Sequence, residues 1–261
     1  MIREMTVADS LHKRQESVAA RFQAVRQHTR RICSTLQPED CVIQSMPDVS
    51  PIRWHLAHTT WFFETFVLKS FADYQSLFPK YEFLFNSYYN AVGEQFPRDR
   101  RGLLSRPTVS EVLAYRQQID DRVMEYLCSK GKWSDSLLET VELGLHHEQQ
   151  HQELMLTDIK HVFSCNPLFP AHVEGVIQES TPPQQEWVEY DAGLREIGHD
   201  GLDLAFDNEA PRHRIFVESF RLSNRLVTNG EFLQFVEGGR GNQGDTRKCW
   251  VVRAPDFEGC S

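Results

Sequence analysis

One stretch constrains this chain more than any other: Leu143-Gly-Leu-His-His-Glu-Gln-Gln-His-Gln-Glu-Leu-Met-Leu156. His147 and His151 are four residues apart, so on a helix their rings share a face, roughly 5–6 Å apart at Cβ. That spacing suits two ligands of one metal ion. Leu143, Leu154, Met155 and Ile159 fall near the same stripe, which predicts imidazoles pointing into a packed interior. Three His and two Glu lie within the eight residues 146–153, a density that favours metal binding over a chance pair of hydrogen-bonded histidines. His147-Glu-Gln-Gln-His151 also fits the H-E-x-x-H pattern, in which two His bind zinc and the Glu is the general base of a peptidase. The extended metzincin form needs Gly at 154 and His at 157, where this chain has Leu154 and Thr157. That form fails, but a zinc hydrolase built on His147, His151 and Glu148 remains a rival.

The rest of the chain supplies a bundle for that helix. Val18, Phe22, Val25, Ile32 and Leu36 recur at helical spacing over 11–36, and Arg21, Arg26, Arg30 and Arg31 read as its solvated face. Ser50-Pro51 predicts an N-cap and first-turn proline for a second helix through Leu68. That helix is apolar over much of its circumference, so it belongs near the centre, with His55 and His58 as candidate inward ligands. Thr108-Val-Ser-Glu111 is a capping box opening a third helix, with Val112, Tyr115, Ile119, Val123 and Tyr126 as its stripe and Gly131 as its stop. A fourth starts near Ser134 and runs to about Phe163. Four such helices predict a four-helix bundle with ligands on facing helices.

The long aromatic connection from Phe71 to Pro107 reads as loop and as functional. Its Arg98, Arg100, Arg101 and Arg106 form a cationic cluster suited to bidentate capture of a carboxylate. Beyond Asn166-Pro-Leu-Phe-Pro170 the pattern shortens to strand-like pieces at 187–190, 194–197 and 213–220, then a short helix capped by Thr228 or Asn229.

Overall charge narrows the partners. A net charge of −9 leaves no footprint for nucleic acid, and no run approaches the eighteen apolar residues of a membrane span. A cytoplasmic protein is expected, with its six scattered cysteines as free thiols.

Read together, Ser50-Pro-Ile-Arg-Trp-His-Leu-Ala-His-Thr-Thr-Trp-Phe-Phe-Glu64, Phe85-Asn-Ser-Tyr-Tyr-Asn-Ala-Val-Gly93, Arg101-Gly-Leu-Leu-Ser-Arg-Pro107 and His147-Glu-Gln-Gln-His-Gln-Glu153 resemble the ergothioneine-biosynthesis sulfoxide synthases. The segments 198–214 and 225–231 resemble the start of that family's second domain. The resemblance implies an α+β fold in two domains. A DinB-like four-helix bundle covers 10–170 and a linker 171–186. An incomplete, irregular α+β domain of the sulfatase-modifying-factor (formylglycine-generating-enzyme-like) type covers 187–261.

It further implies a three-histidine Fe(II) site at His58, His147 and His151, with His55 as a neighbour, and substrate carboxylates held by Arg98 and Arg101. The chemistry implied is O2-dependent joining of cysteine or γ-glutamylcysteine to the imidazole of hercynine, the trimethylated betaine of histidine, giving a sulfoxide. Three neutral imidazoles would leave open positions on the ion, and Glu148 or Glu153 would orient a ligand imidazole through its second nitrogen. The resemblance fades after about Gly239, and the family's catalytic tyrosine lies beyond position 261. A truncated copy with impaired activity is therefore expected. Rival readings besides the zinc hydrolase are a DinB-type metal-dependent thiol transferase and a non-catalytic metal-binding remnant.

Overall fold

The computed structural model describes residues 7–129, 133–175, 181–201 and 205–238. The chain divides into two compact units at Glu174 and Gly175.

The first unit is a helical bundle. Helix α1 spans Val7–Cys33, α2 Ile52–Phe62, α4 Val109–Cys128 and α5 Asp135–Ser164, with a short α3, Tyr81–Phe85, in the long connection. Both α1 and α2 pack against α4 and α5, so α2 and α5 are neighbours and can share a site. Each long helix is set by its apolar period. In α4 the stripe Val112, Tyr115, Ile119, Val123 and Tyr126 is buried as predicted, and Thr108 and Glu111 close both bonds of the capping box. Ser134 caps α5 by accepting from the Leu137 amide. The expected stop at Gly131 lies outside the described residues; α4 ends at Cys128 with Ser129 as cap.

Helix α2 is the centre. Every residue from Ile52 to Phe62 is buried, Arg53, His55, His58, Thr59 and Thr60 included. Two expectations about it are corrected. Pro51, not Ser50, is the N-cap, its carbonyl accepting from the Trp54 and His55 amides; Ser50 is engaged elsewhere, as described below. The α-helix stops at Phe62 and widens into a π-turn, Phe63–Val67, then a 3-10 turn, Leu68–Ser70. The wide turn carries Glu64, whose buried carboxylate accepts from Tyr74, Ser76, Tyr115 and the Leu77 amide. Hydrophobic periodicity carries no sign of such a buried carboxylate.

Helix α1 ends at Cys33, short of Leu36. Its Arg26 is not on the solvated face: it is buried, with Asp120 at 2.6 Å and Glu148 at 2.8 Å. Burying a guanidinium is costly unless its donors are matched, and the carboxylates that match those of Arg26 sit on helices remote in sequence. The connection from Phe71 to Pro107 is likewise not all loop; besides α3 it holds a 3-10 helix, Arg98–Leu103, which buries Arg101. No described helix is long and apolar enough to cross a membrane.

The second unit holds two antiparallel strand pairs. Strand β1, Trp187–Tyr190, pairs with β4, Phe220–Ser223, in the register Trp187↔Ser223; β2, Gly193–Ile197, pairs with β3, His213–Val217, in the register Gly193↔Val217. The single strand expected over 213–220 is therefore two, each taken by a different partner. Helix α6, Asn229–Glu237, opens on a Thr228/Glu231 capping box. Among the described residues of 181–238 none is buried. The chain after 239 lies outside the described residues.

Candidate metal centre

His58 projects from the middle of α2, where helical spacing puts Trp54 one turn before it, and the two rings stack at 4.5 Å with 13° between planes. His147 and His151 project from α5. The three rings converge: centroids are 4.9 Å apart for His58 and His147, 4.7 Å for His58 and His151, and 4.6 Å for His147 and His151. One nitrogen from each lies within 4.8 Å of the others. Nε2 of His58 and Nε2 of His147 are 3.1 Å apart, close to the roughly 3 Å edge expected of two nitrogens bound at right angles about 2.1 Å from one ion.

The far nitrogens of the rings are accounted for in turn. His58 Nδ1 donates to the Phe85 carbonyl at 2.6 Å, which leaves its Nε2 as a bare lone pair. His151 Nδ1 meets His55 Nδ1 at 2.8 Å. His55 Nε2 in turn meets Asp158 Oδ2 at 2.9 Å, an oxygen that also accepts from the Ser50 amide at 3.0 Å. His147 Nδ1 is buried without a hydrogen-bond partner.

Burial, and then the neighbouring His147, pushes His58 well down. Burial holds His147 at about 4. His151 is driven down by burial and then by His55, His58 and His147. Three neutral imidazoles crowded together with lone pairs available are a donor set for a divalent transition metal, and imidazole suits zinc, copper, iron and nickel alike. The residues present fit such an ion.

Two expectations about the surroundings fail. Glu148 does not face the trio. It lies on the inner side of α5, fully buried, accepting from Arg26, from Thr29 and from Arg116. Burial alone would raise its pKa, but the Arg116 and Arg26 guanidiniums and the Thr29 hydroxyl overcome that and hold it at about 2. A carboxylate so occupied can neither orient a ligand ring nor serve as the base of a zinc peptidase, while Glu153 is exposed. The ring nitrogens turned away from the trio meet other groups instead: the Phe85 carbonyl for His58, and for His151 the His55 ring, which in turn meets Asp158.

The stripe is also displaced. Leu143 and Leu154 are each 42% exposed, because they share the half-buried edge on which His147 sits; the buried centre runs through Gly144, Glu148, His151, Met155 and Ile159. Gly144 matters here, since a Cβ there would meet the Phe62 and Phe63 rings at 2.7 Å. The Phe62 ring in turn packs on His147 at 5.0 Å.

The four arginines lie in different surroundings. Arg101 is buried, with its guanidinium carbon 3.4 Å from the Trp54 ring centroid. Its Nη1 donates to Ser50 Oγ at 3.0 Å and its Nη2 to Ser87 Oγ at 3.1 Å, while Nε has no partner. Among the described residues its partners are hydroxyls and a ring, with no carboxylate. Burial, and then Arg98, lowers it to about 9. Arg98 is exposed and donates to Tyr88 Oη at 2.9 Å and to the Asp48 carbonyl. Arg100 and Arg106 are exposed. The structure thus brings Arg101 beside the trio through Trp54, with Arg98 next in line.

Sequence reasoning missed Trp54, Ser50, Asp158 and the Phe85 carbonyl. Asp158 was findable in part, because it lies seven residues after His151, on the same face two turns on. Trp54 was findable likewise, one helical turn before His58; Ser50 and the Phe85 carbonyl had no local signal.

A family profile described as the DinB superfamily matches residues 21–155. The chain is similar to hercynine oxygenase of Mycobacterium tuberculosis, 27% identical over 241 residues that make up 90% of this chain and 53% of that protein. It is also similar to ergothioneine biosynthesis protein 1 of Neurospora crassa, 26% identical over 146 residues, 50% of this chain and 16% of that protein. The chain therefore spans about half the length of the mycobacterial relative. The resemblance drawn from the motifs and these two relatives point the same way.

Proposed function

From the premise that this chain belongs to the DinB superfamily, we propose that it is a non-haem Fe(II), O2-dependent sulfoxide synthase of ergothioneine biosynthesis. It joins a cysteine-type thiol to hercynine. The observation that carries this reading is the convergence of His58, His147 and His151 from two neighbouring helices, with no carboxylate joining the cluster among the described residues. The relatives supply the substrate class: one is named for hercynine, the other for ergothioneine biosynthesis. We propose further that residues 10–170 are the metal-binding domain, and that 187–261 begin a sulfatase-modifying-factor-type domain after a linker over 171–186.

The overall reaction balances as one O2 taking four electrons. A thiol S–H and an imidazole C–H break, a C–S bond and an S–O bond form, and the second oxygen leaves as water. An iron ion held there would supply the redox chemistry that this four-electron reaction needs. This chain's residues do the rest. His58, His147 and His151 would hold the ion. Arg101, buried and without an acidic partner, receives the carboxylate of the thiol substrate, and Arg98 adds a second contact from the rim. Trp54 would space that carboxylate from the metal-binding histidines, since its ring stacks on His58 and carries Arg101. Burial of Arg101 strengthens its attraction for a carboxylate, because little water screens it.

The test is anaerobic Fe(II) titration followed by oxygen-electrode measurements with hercynine and either cysteine or γ-glutamylcysteine. One equivalent of iron is expected, with none bound by His58→Ala or by His147→Ala. Stoichiometric iron in the double variant would refute the site. Iron uptake with thiol transfer but no oxygen consumption would favour a DinB-type thiol transferase on the same three histidines. The peptidase reading has lost its base, since Glu148 is committed to two arginines.

A further inference from the structure

We propose that His55 and Asp158 are positioning residues for this centre: as a relay they fix His151 in the one tautomer whose Nε2 is free to bind an ion. The inference rests on the metal-binding reading of the three histidines. It follows from counting hydrogens along one chain of contacts.

A carboxylate only accepts. Asp158 Oδ2 takes the Ser50 amide at 3.0 Å and His55 Nε2 at 2.9 Å, so the hydrogen of that second contact belongs to His55. For His151 to offer a bare Nε2 to an ion, its hydrogen must sit on Nδ1. The 2.8 Å contact then runs from His151 Nδ1 to a lone pair on His55 Nδ1. His55 keeps its own hydrogen on Nε2, where Asp158 accepts it. The opposite order would put the proton of a neutral His151 on Nε2 and close it to metal.

The relay has a geometric reason. Ligand histidines are commonly oriented by a carboxylate in direct contact. Asp158 is on the same helix as His151 but seven residues on, about 10 Å along the axis, so an imidazole from α2 has to bridge the gap. The bridge is dry: Ser50, His55 and Asp158 are 3%, 2% and 7% exposed, which leaves little access for water to take over a missing partner. It is also tied to the cationic side of the site, because the serine whose amide fixes Asp158 accepts from Arg101 through its hydroxyl.

The deciding experiment pairs a spectrum with a titration. In the metal-free full chain labelled with 15N-histidine, long-range 1H–15N correlation at neutral pH is expected to show His151 protonated at Nδ1 and bare at Nε2. In anaerobic Fe(II) titrations, His55→Phe and Asp158→Leu are expected to weaken binding by about 10–100-fold. His55→Gln, whose side-chain oxygen can still accept from His151, should recover most of that loss. A His151 protonated at Nε2 in the wild-type chain overturns the proposal, as does folded His55→Phe binding iron within twofold of wild type. Should the variants fail to fold, the wild-type spectrum alone decides. A wild-type chain with the expected tautomer that takes up no iron sinks the metal reading and this proposal with it. That result is distinct from failure of the relay alone, in which iron binds but the tautomer is wrong.

Discussion

Glu148 sits between two histidines of the site yet belongs to the bundle's interior. With Arg26, Arg116, Asp120 and Thr29 it forms a buried ionic layer joining α1, α4 and α5. Removing it leaves two buried guanidiniums short of a partner, so Glu148→Ala is expected to destabilise the chain by roughly 3–5 kcal/mol in denaturant unfolding. The same carboxylate predicts a pH dependence. Its pKa is held at about 2 against an ordinary 4.5. The unfolded chain therefore takes up the proton first as pH falls. Its stabilisation is fully present above 4.5 and drains away toward 2. The stability gap between wild type and Glu148→Gln should close across that window; a gap constant from pH 5 to 2 would contradict the assignment. None of this is legible in the sequence. The His147 and His151 spacing announces ligands, but the Glu between them fits a peptidase base equally well until the helix is packed.

On α5, Gly144 leaves room for the rings of Phe62, the last residue of α2, and Phe63, the first of the π-turn. A methyl group at 144 gains about 1 kcal/mol in helix propensity but meets ring carbons at 2.7 Å. Overpacking of that kind costs typically 1–3 kcal/mol. Gly144→Ala is therefore expected to be net destabilised, and to bind Fe(II) more weakly as well, because displacing α5 or Phe62 moves His147 one turn on. A variant as stable as wild type would show that the rings yield freely. Helix existence, the Thr108 cap and the α4 stripe were readable because they depend on neighbours three or four residues away. The π-turn after Phe62 and the split of the 213–220 strand were not, since each answers to a partner far along the chain.

At the scale of the whole molecule, every buried side chain among the described residues lies between Gln15 and Phe163. The bundle therefore holds its own core, and residues 1–174 expressed alone should unfold cooperatively and bind Fe(II) with the affinity of the full chain. Circular dichroism melts and the same titration check this; a fragment that is unfolded or tenfold weaker would contradict it. By itself the sequence determined that a helical bundle comes first and shorter strands follow. It also determined that two histidines share a helical face and that arginines gather in one loop, because period and spacing are local properties. Spacing left His55 and His58 open, and only the family resemblance pointed to His58; tertiary structure decided which arginine is buried and that a second imidazole links His151 to Asp158. Those outcomes depend on side chains some 100 residues apart competing for a few hydrogen-bonding positions in a dry interior, a competition no short window of sequence records.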